Sequence, residues 1–262
     1  MLATVTAIRF DKAVGSGKTK PAILTCVRDD GTEVELVAKF AAGCEMKQRS
    51  LVAEVLAALL AADLDLPVPE PFLVNAEADF VATIPDPEIR QRAQASLGWN
   101  FGSRKLPPGF GALPIDRPLP QSLVPLAGEI LAFDTFTANP DRTVANPNCL
   151  TNGRELAIYD HELAFFMDGI LGWKPPWEPG AVQFPKGRSP KTRHVFVEEL
   201  RGAGLDFRRF VGAFDVVSAE RLREYQAALP VQWTGDGRAV EGILGYLATL
   251  KQNLDLAIEQ LT

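Results

Sequence analysis

The chain has 262 residues and a net charge of −6, which argues against the basic surface of a general nucleic-acid binder. Its 47% hydrophobic and 23% charged residues are those of an ordinary folded protein, with core enough for one large domain or two small lobes. Cys26, Cys44 and Cys149 are widely spaced and form no C-x-x-C pair, which argues against a zinc ribbon or disulfide framework and favours a reducing compartment.

The first forty residues read as strands. Thr4 to Phe10 alternates weakly. Pro21 to Val27 is rich in β-formers, Asp29 to Thr32 makes a turn, and Glu33 to Phe40 has period-two character, so a hairpin is expected. A helix follows, with Ser50 as N-cap and Leu51, Val55, Leu56, Leu59 and Leu60 on one face. It stops before Leu66-Pro67-Val68-Pro69, where proline forbids continuation. Pro71 to Val74 and Phe80 to Ile84 are expected as short strands, giving a small sheet with one helix packed on it.

Beyond Pro85 the chain turns helical and loop-rich. Pro87 to Ala95 reads as a short helix. Leu97 to Pro120, dense in Gly and Pro, reads as a long ordered loop of the kind that often carries function. Gln121 to Thr137 is expected as an amphipathic helix with Leu123, Leu126, Ala127, Ile130 and Leu131 inward. Asn148 to Asn152 and Arg154 to Tyr159 suggest a hairpin that carries Asp160 at its far end. Gly172 to Pro190 is a second Pro/Gly/Trp-rich loop. Val195 to Leu200, Phe207 to Phe214, Ala219 to Ala228 and Val240 to Gln260 read as helices. Trp99, Trp173 and Trp177 are loop anchors. The predicted fold class is α+β, two-lobed and protein-kinase-like: a sheet-rich N-lobe over residues 1–85 and a helical C-lobe over 86–262. The chain start lacks the basic-then-apolar pattern of a signal peptide. The longest apolar run, Leu51 to Ala62, contains Glu54 and is too short to span a bilayer. A cytoplasmic location is expected.

Asn139-Pro140-Asp141-Arg142-Thr143 with Asn146 forms a D-x-x-x-x-N loop, and Asp160 follows in Tyr159-Asp160-His161-Glu162. Protein kinases use this spacing: the first Asp orients the acceptor hydroxyl, the Asn holds Mg²⁺, and the later Asp holds metal that bridges the phosphates. Such oxygen ligands suit Mg²⁺. Asn, Pro and Asp are also common turn residues, so the weight rests on the set rather than on the loop alone. Lys39 at a strand end and Glu54 in the following helix match the lysine–glutamate pair that addresses ATP phosphates. A carboxylate amid the apolar run of that helix is costly unless partnered or wet. Gly15-Ser16-Gly17-Lys18-Thr19 is not a Walker A loop, because position 12 is Lys12 and a strand follows. It fits a phosphate-covering turn in which backbone N–H groups and Lys18 meet phosphate oxygens. His161, beside Asp160 and Glu162, is read as an orienting or packing residue, since no second local histidine supports a metal cluster. Asp134 is a candidate buried partner for the loop backbone or Arg142, or a solvated residue.

These segments, together with Asn100-Phe101-Gly102-Ser103 and Ala164-Phe165, resemble the HipA-like kinase family, in particular its short stand-alone branch. The resemblance spans roughly Gly15 to Phe165 and implies ATP- and Mg²⁺-dependent phosphorylation of Ser/Thr on protein targets. It implies Asp141 as catalytic base, Asn146 and Asp160 as metal ligands, and Lys39 on the phosphates. It also implies an autophosphorylated loop serine, for which Ser16 is the matching position. A small-molecule kinase of the aminoglycoside type uses the same D-x-x-x-x-N and later Asp, and an acidic chain suits a cationic substrate. A nucleotide-binding pseudokinase or scaffold is a third reading, opposed by the presence of Lys39, Asp141, Asn146 and Asp160 together.

Overall fold

In the computed structural model, which describes residues 2–15, 19–181, 189–235 and 237–261, five strands close on themselves. They are β1 (Ala3–Ala13), β2 (Ala22–Val27), β3 (Glu33–Lys39), β4 (Pro71–Ala76) and β5 (Gly98–Arg104). Their order is β1-β2-β3-β5-β4, sealed by a parallel β1–β4 pairing. The expected small sheet closes into a barrel. The weak alternation along β1 has a local cause: its register against β2 shifts between Ala7 and Arg9 and again between Phe10 and Lys12. Each bulge flips the side-chain phase and coils the strand around its neighbour.

Strand β5 lies inside the stretch expected as loop. Its Gly/Asn/Ser content hides it, and the reason for Gly102 is spatial. Gly102 pairs with Ala38 on one side and Phe72 on the other. A Cβ there would sit 2.6 Å from the Val74 side chain and 3.2 Å from that of Leu36. The segment Phe80 to Ile84 is also corrected: α2 (Ala78–Ala82) is a helical turn. Phe80, Val81 and Ile84 are buried at helical spacing against the barrel core of Val5, Leu24, Leu36 and Phe72, so packing overrides the β preference of these residue types. Helix α3 (Pro87–Gln94) follows as expected, capped by Asp86.

Helix α1 (Gln48–Asp63) starts at Lys47, whose φ is 52°, and not at Ser50. Ser50 lies inside the helix, buried, and its hydroxyl accepts from the Met46 N–H. Eleven of its residues are buried, so it is held by packing rather than by a cap. It lies against β4 and β5 and against α7 (Val231–Thr234). Its Leu51, Val55, Leu56 and Leu60 join one core with Phe133, Phe210 and Leu247.

The C-terminal region is helical around a three-stranded sheet, β6-β7-β8 (Gly111–Ala112, Cys149–Thr151, Leu156–Ile158). The β7–β8 hairpin is the one expected before Asp160. Helix α4 (Val124–Phe136) is not amphipathic: Glu129 and Asp134 are buried along with Ala127, Ile130 and Phe133, while Leu126 and Leu131 are only partly covered. Residues 195–200 form turns, not a helix. Helices α5 (Arg208–Ala213) and α6 (Ala219–Ala227) match expectation. The long terminal helix is two, α8 (Arg238–Gln252) and α9 (Leu254–Glu259). At the break, the Asn253 side chain donates to the Thr249 carbonyl at 2.8 Å, the local competition by which Asn interrupts helices. No helix among the described residues is long and apolar enough to cross a membrane.

Replacing Gly102 by Ala is expected to cost about 1–3 kcal/mol through overpacking between Val74 and Leu36. Thermal unfolding followed by circular dichroism checks this, and an unchanged midpoint would contradict the strand crossing described.

Candidate active site

Lys39 ends β3 and is 6% exposed. Its ammonium pairs with Glu54 of α1, with Asp160 at 2.6 Å and with Glu162 at 3.5 Å. The second Glu54 oxygen accepts from the backbone N–H of His161 at 3.0 Å. One helix carboxylate thus holds both the strand lysine and the loop that carries Asp160. Burial alone would lower the lysine pKa, but the three carboxylates push it well above its ordinary value, so the ammonium stays charged. Burial raises the Asp160 pKa, yet the Lys39 charge and hydrogen bond outweigh it and keep that carboxylate ionised. Burial pushes Glu54 above the usual carboxylate range and Glu162 up to about 7.

The carboxylates of Glu54, Asp160 and Glu162 lie within 4.8 Å of one another. One ammonium cannot neutralise three ionised carboxylates in a desolvated space, and among the described residues none donates to Glu162 Oε2. This all-oxygen, charge-deficient set fits a hard divalent cation such as Mg²⁺.

Asp141 and Asn146 are joined directly: the Asn146 amide donates to Asp141 Oδ2 at 2.8 Å. Asn148 donates to the same oxygen at 2.9 Å. Among the described residues, none donates to Oδ1. Burial raises the Asp141 pKa, and the nearby Asp160 charge adds to the rise. The Tyr159 N–H donates to the Asn148 carbonyl at 3.1 Å, which joins the residue before Asp160 to the asparagine that holds Asp141.

The loop is fixed from beneath by Arg142, which is fully buried. Its Nε donates to Asp134 Oδ2 at 2.6 Å. Its other nitrogens reach the carbonyls of Asn148 and Tyr159 and the Nδ1 of His161, the last at 3.3 Å. Asp134 also accepts from the Asn139 amide at 2.9 Å and from His194 Nε2 at 2.9 Å. Of the two readings of Asp134, the buried one holds. Arginine only donates, so His161 Nδ1 is an acceptor and its proton sits on Nε2; that N–H is buried and finds no acceptor among the described residues. His194 likewise carries its proton on Nε2, because its Nδ1 accepts from the Phe196 N–H.

Of the expected phosphate-covering turn, Gly15 sits beyond β1 with φ 65°, where the Val14 N–H closes the hairpin on the Pro21 carbonyl. Ser16, Gly17 and Lys18 lie outside the described residues. The structure brings Lys39, Glu54 and Asp160 into one ion cluster and Asp141 and Asn146 into one hydrogen-bonded pair. Three participants carried little signal in the sequence. Asn148 is an ordinary Asn in an Asn-Pro-Asn run. His194 lies fifty residues beyond the loop. Glu162, two residues after Asp160, was visible beside His161 but pointed to no role without the Lys39 contact.

A family model described as HipA-like kinase matches residues 8–170, more than half of the chain and every site residue above except His194. No curated protein matches the chain.

Arg142→Met is expected to destabilise by about 3–5 kcal/mol, because it strands the buried Asp134 charge. Urea unfolding measures this, and a loss below ~1 kcal/mol would contradict the buried pairing. Burial holds His194 and His161 below the usual histidine pKa, the latter at about 3. Their folded pKa values lie below the unfolded value of ~6.5, so only the unfolded chain takes up protons just below that pH. Stability then falls on acidification from ~6.5 downward, by up to 1.4 kcal/mol per pH unit for each group. His194→Gln keeps a donor for Asp134 and removes one titration, so the slope of unfolding free energy between pH 6.5 and 5 should flatten. An identical slope in the variant would show that His194 does not titrate there.

Proposed function

The chain belongs to the HipA-like kinase family, and from that premise we propose that it is an ATP- and Mg²⁺-dependent kinase acting on Ser/Thr of a protein substrate. The observation that carries the reading is the cluster in which Lys39 meets Glu54 and Asp160 beside the Asp141–Asn146 pair. On this reading the sheet-rich residues 1–85 and the helical residues 86–262 are the two lobes of a protein-kinase-like fold, and the site lies where they meet.

Each residue has a role suited to its surroundings. Lys39 stays protonated and offers a fixed positive charge to the α- and β-phosphates, oriented by Glu54. Asn146 and Asp160 would hold the metal: Asn146 spends its amide N–H on Asp141 and keeps its carbonyl oxygen, while Asp160 is ionised. Mg²⁺ so bound neutralises phosphate charge and aligns the transferred group. Asp141 acts at the acceptor. Asn146 and Asn148 occupy its Oδ2, leaving Oδ1 to accept the hydrogen bond of the acceptor hydroxyl and take its proton as the acceptor oxygen bonds the γ-phosphorus, the bond from that phosphorus to the β,γ-bridging oxygen breaks, and ADP leaves. The raised Asp141 pKa makes it a stronger base than a free carboxylate. Gly15 and the turn after it, including Ser16, Gly17 and Lys18, would cover the phosphates.

Asp141→Asn should lower phosphoryl transfer by about 10²–10⁴-fold while ATP binding is kept. Incubation with γ-labelled ATP and Mg²⁺, followed by mass-spectrometric mapping of phosphorylated Ser and Thr, checks this. Equal incorporation in parent and variant would remove Asp141 from the reaction, and loss of label on chelating divalent ions is the matching expectation for the metal.

A further inference from the structure

Immediately beyond the Asp160 loop, the chain builds a cavity of about 570 Å³ that the phosphoryl-transfer roles leave unused. Its walls are Met167, Asp168, Trp173, Trp177, Tyr246 and Thr249. The rings stand at angles to one another along a broad depression that is open to solvent. Trp177 stacks near Tyr246 at 27°, and Trp173 stands edge-on to it at 62°, both with centroids 5.8 Å away. The volume lies in the range of small-ligand sites, and the three rings are only partly buried.

The pocket is tied to both segments that carry the active site. The Tyr246 hydroxyl donates to the carbonyl of Phe136, the last residue of α4, at 2.6 Å. The catalytic loop begins three residues later at Asn139. The Phe165 N–H, between Glu162 and the pocket wall, donates to the Thr137 carbonyl at 2.6 Å. Both Thr137 and the wall residues Met167 and Asp168 lie within one short stretch of the residues that hold the site.

The chemistry of the walls selects a cation. Aromatic faces carry negative potential and attract ammonium or guanidinium groups. Asp168 adds a carboxylate that is 89% exposed. Next to the pocket the chain already seats one cation near Asp168: the Arg49 guanidinium lies 4.9 Å over the Phe166 ring and 3.8 Å from the Asp168 carboxylate. That distance is too long for a hydrogen bond, so the Asp168 oxygens keep capacity for a second donor. Lys174, between two lining residues, is the cation of this segment that competes with a ligand. The net charge of −6 draws basic partners to the whole surface. Leu171, beside the mouth, is 94% exposed and offers an apolar contact to the same partner.

We propose that this pocket binds a lysine or arginine side chain of the polypeptide that accepts the phosphate, with the alkyl stem laid across the exposed surfaces of Trp173, Trp177 and Tyr246 and the charged head at Asp168. The proposal rests on the kinase reading above and adds the substrate class: a basic segment around the acceptor Ser or Thr. The pocket is a specificity site, and its residues do not touch the reacting atoms.

The test uses the full chain and a synthetic peptide with one serine flanked by lysines, against its norleucine counterpart of matched length. Tryptophan fluorescence and titration calorimetry report binding without requiring catalysis. The lysine peptide is expected to bind at least tenfold tighter than the norleucine peptide. Asp168→Asn and Trp173→Leu should each abolish that preference, with thermal midpoint and ATP binding unchanged. Equal binding of the two peptides, or no binding of either, overturns the proposal. Tighter binding of the polycationic aminoglycoside kanamycin than of the lysine peptide, lost in the same variants, also overturns it in favour of a small-molecule acceptor. ATP binding measured on the same preparation separates the two readings: its absence defeats the kinase reading, whereas peptide selectivity without it leaves the pocket standing.

Discussion

Three segments far apart in sequence meet at one carboxylate. Glu54 gives one oxygen to the Lys39 ammonium and the other to the His161 N–H, so β3, α1 and the Asp160 loop are joined through a single side chain that is 1% exposed. A lone buried carboxylate would be expelled or protonated. Here the cost is met by a cation and a backbone donor in fixed positions, and the apolar burial of α1 around it supplies the energy to keep the arrangement dry. Moving Glu54 by one residue would turn it about 100° around the helix and break both contacts at once.

The second anchor, Arg142 with Asp134, meets the first at the same short stretch. Arg142 binds the Tyr159 carbonyl and His161 Nδ1 while Glu54 binds the His161 N–H. The Asp160 backbone is thus gripped from both sides, which explains how it holds a φ of 61°. Ala138, Asn148 and Phe165 are also left-handed, with φ of 50°, 44° and 60°. Such conformations cost of order 1–3 kcal/mol each for strained cases and persist only where surroundings over-determine them. Four of them in the two segments that hold Asp141 and Asp160 mean that fold stability is spent on placing these side chains.

The residues that carry charge were the legible part of this sequence. Lys39, Glu54, Asp141, Asn146 and Asp160 each stood out against a local pattern: a lysine closing an apolar strand, a glutamate in a helix of leucines, a D-x-x-x-x-N loop. The structure gathers the first two with Asp160 and pairs the middle two. What was not legible depended on distance contacts. Strand β5 has a composition that reads as loop, because its glycine is demanded by Val74 and Leu36 across the barrel and not by its own neighbours. The turn at Phe80 reads as strand because β-branched residues pack equally well on a helical turn that seals a barrel. His194 carries no local signal, since its partner Asp134 lies sixty residues earlier. The family model, ending at residue 170, covers the legible site and stops short of Tyr246, whose helical repeat announced a core helix but not the ring that α8 turns toward Trp173 and Trp177.

Charge balance links the site to its own occupancy. Lys39 faces three carboxylates and cannot neutralise them all, and Glu162 responds with a pKa raised to about 7. On the proposed reading the same lysine must also serve phosphate, which is possible only if Asp160 finds another cation. A divalent metal at Asn146 and Asp160 meets that need, since it supplies the charge that Lys39 withdraws. Glu54 then remains the lysine's fixed partner, and Glu162, 3.5 Å from the Lys39 ammonium through an Oε2 that among the described residues makes no hydrogen bond, is the group able to follow either cation. On that reading the acidic excess of the cluster would make nucleotide and metal binding mutually dependent, since each would relieve a repulsion that the other alone would leave.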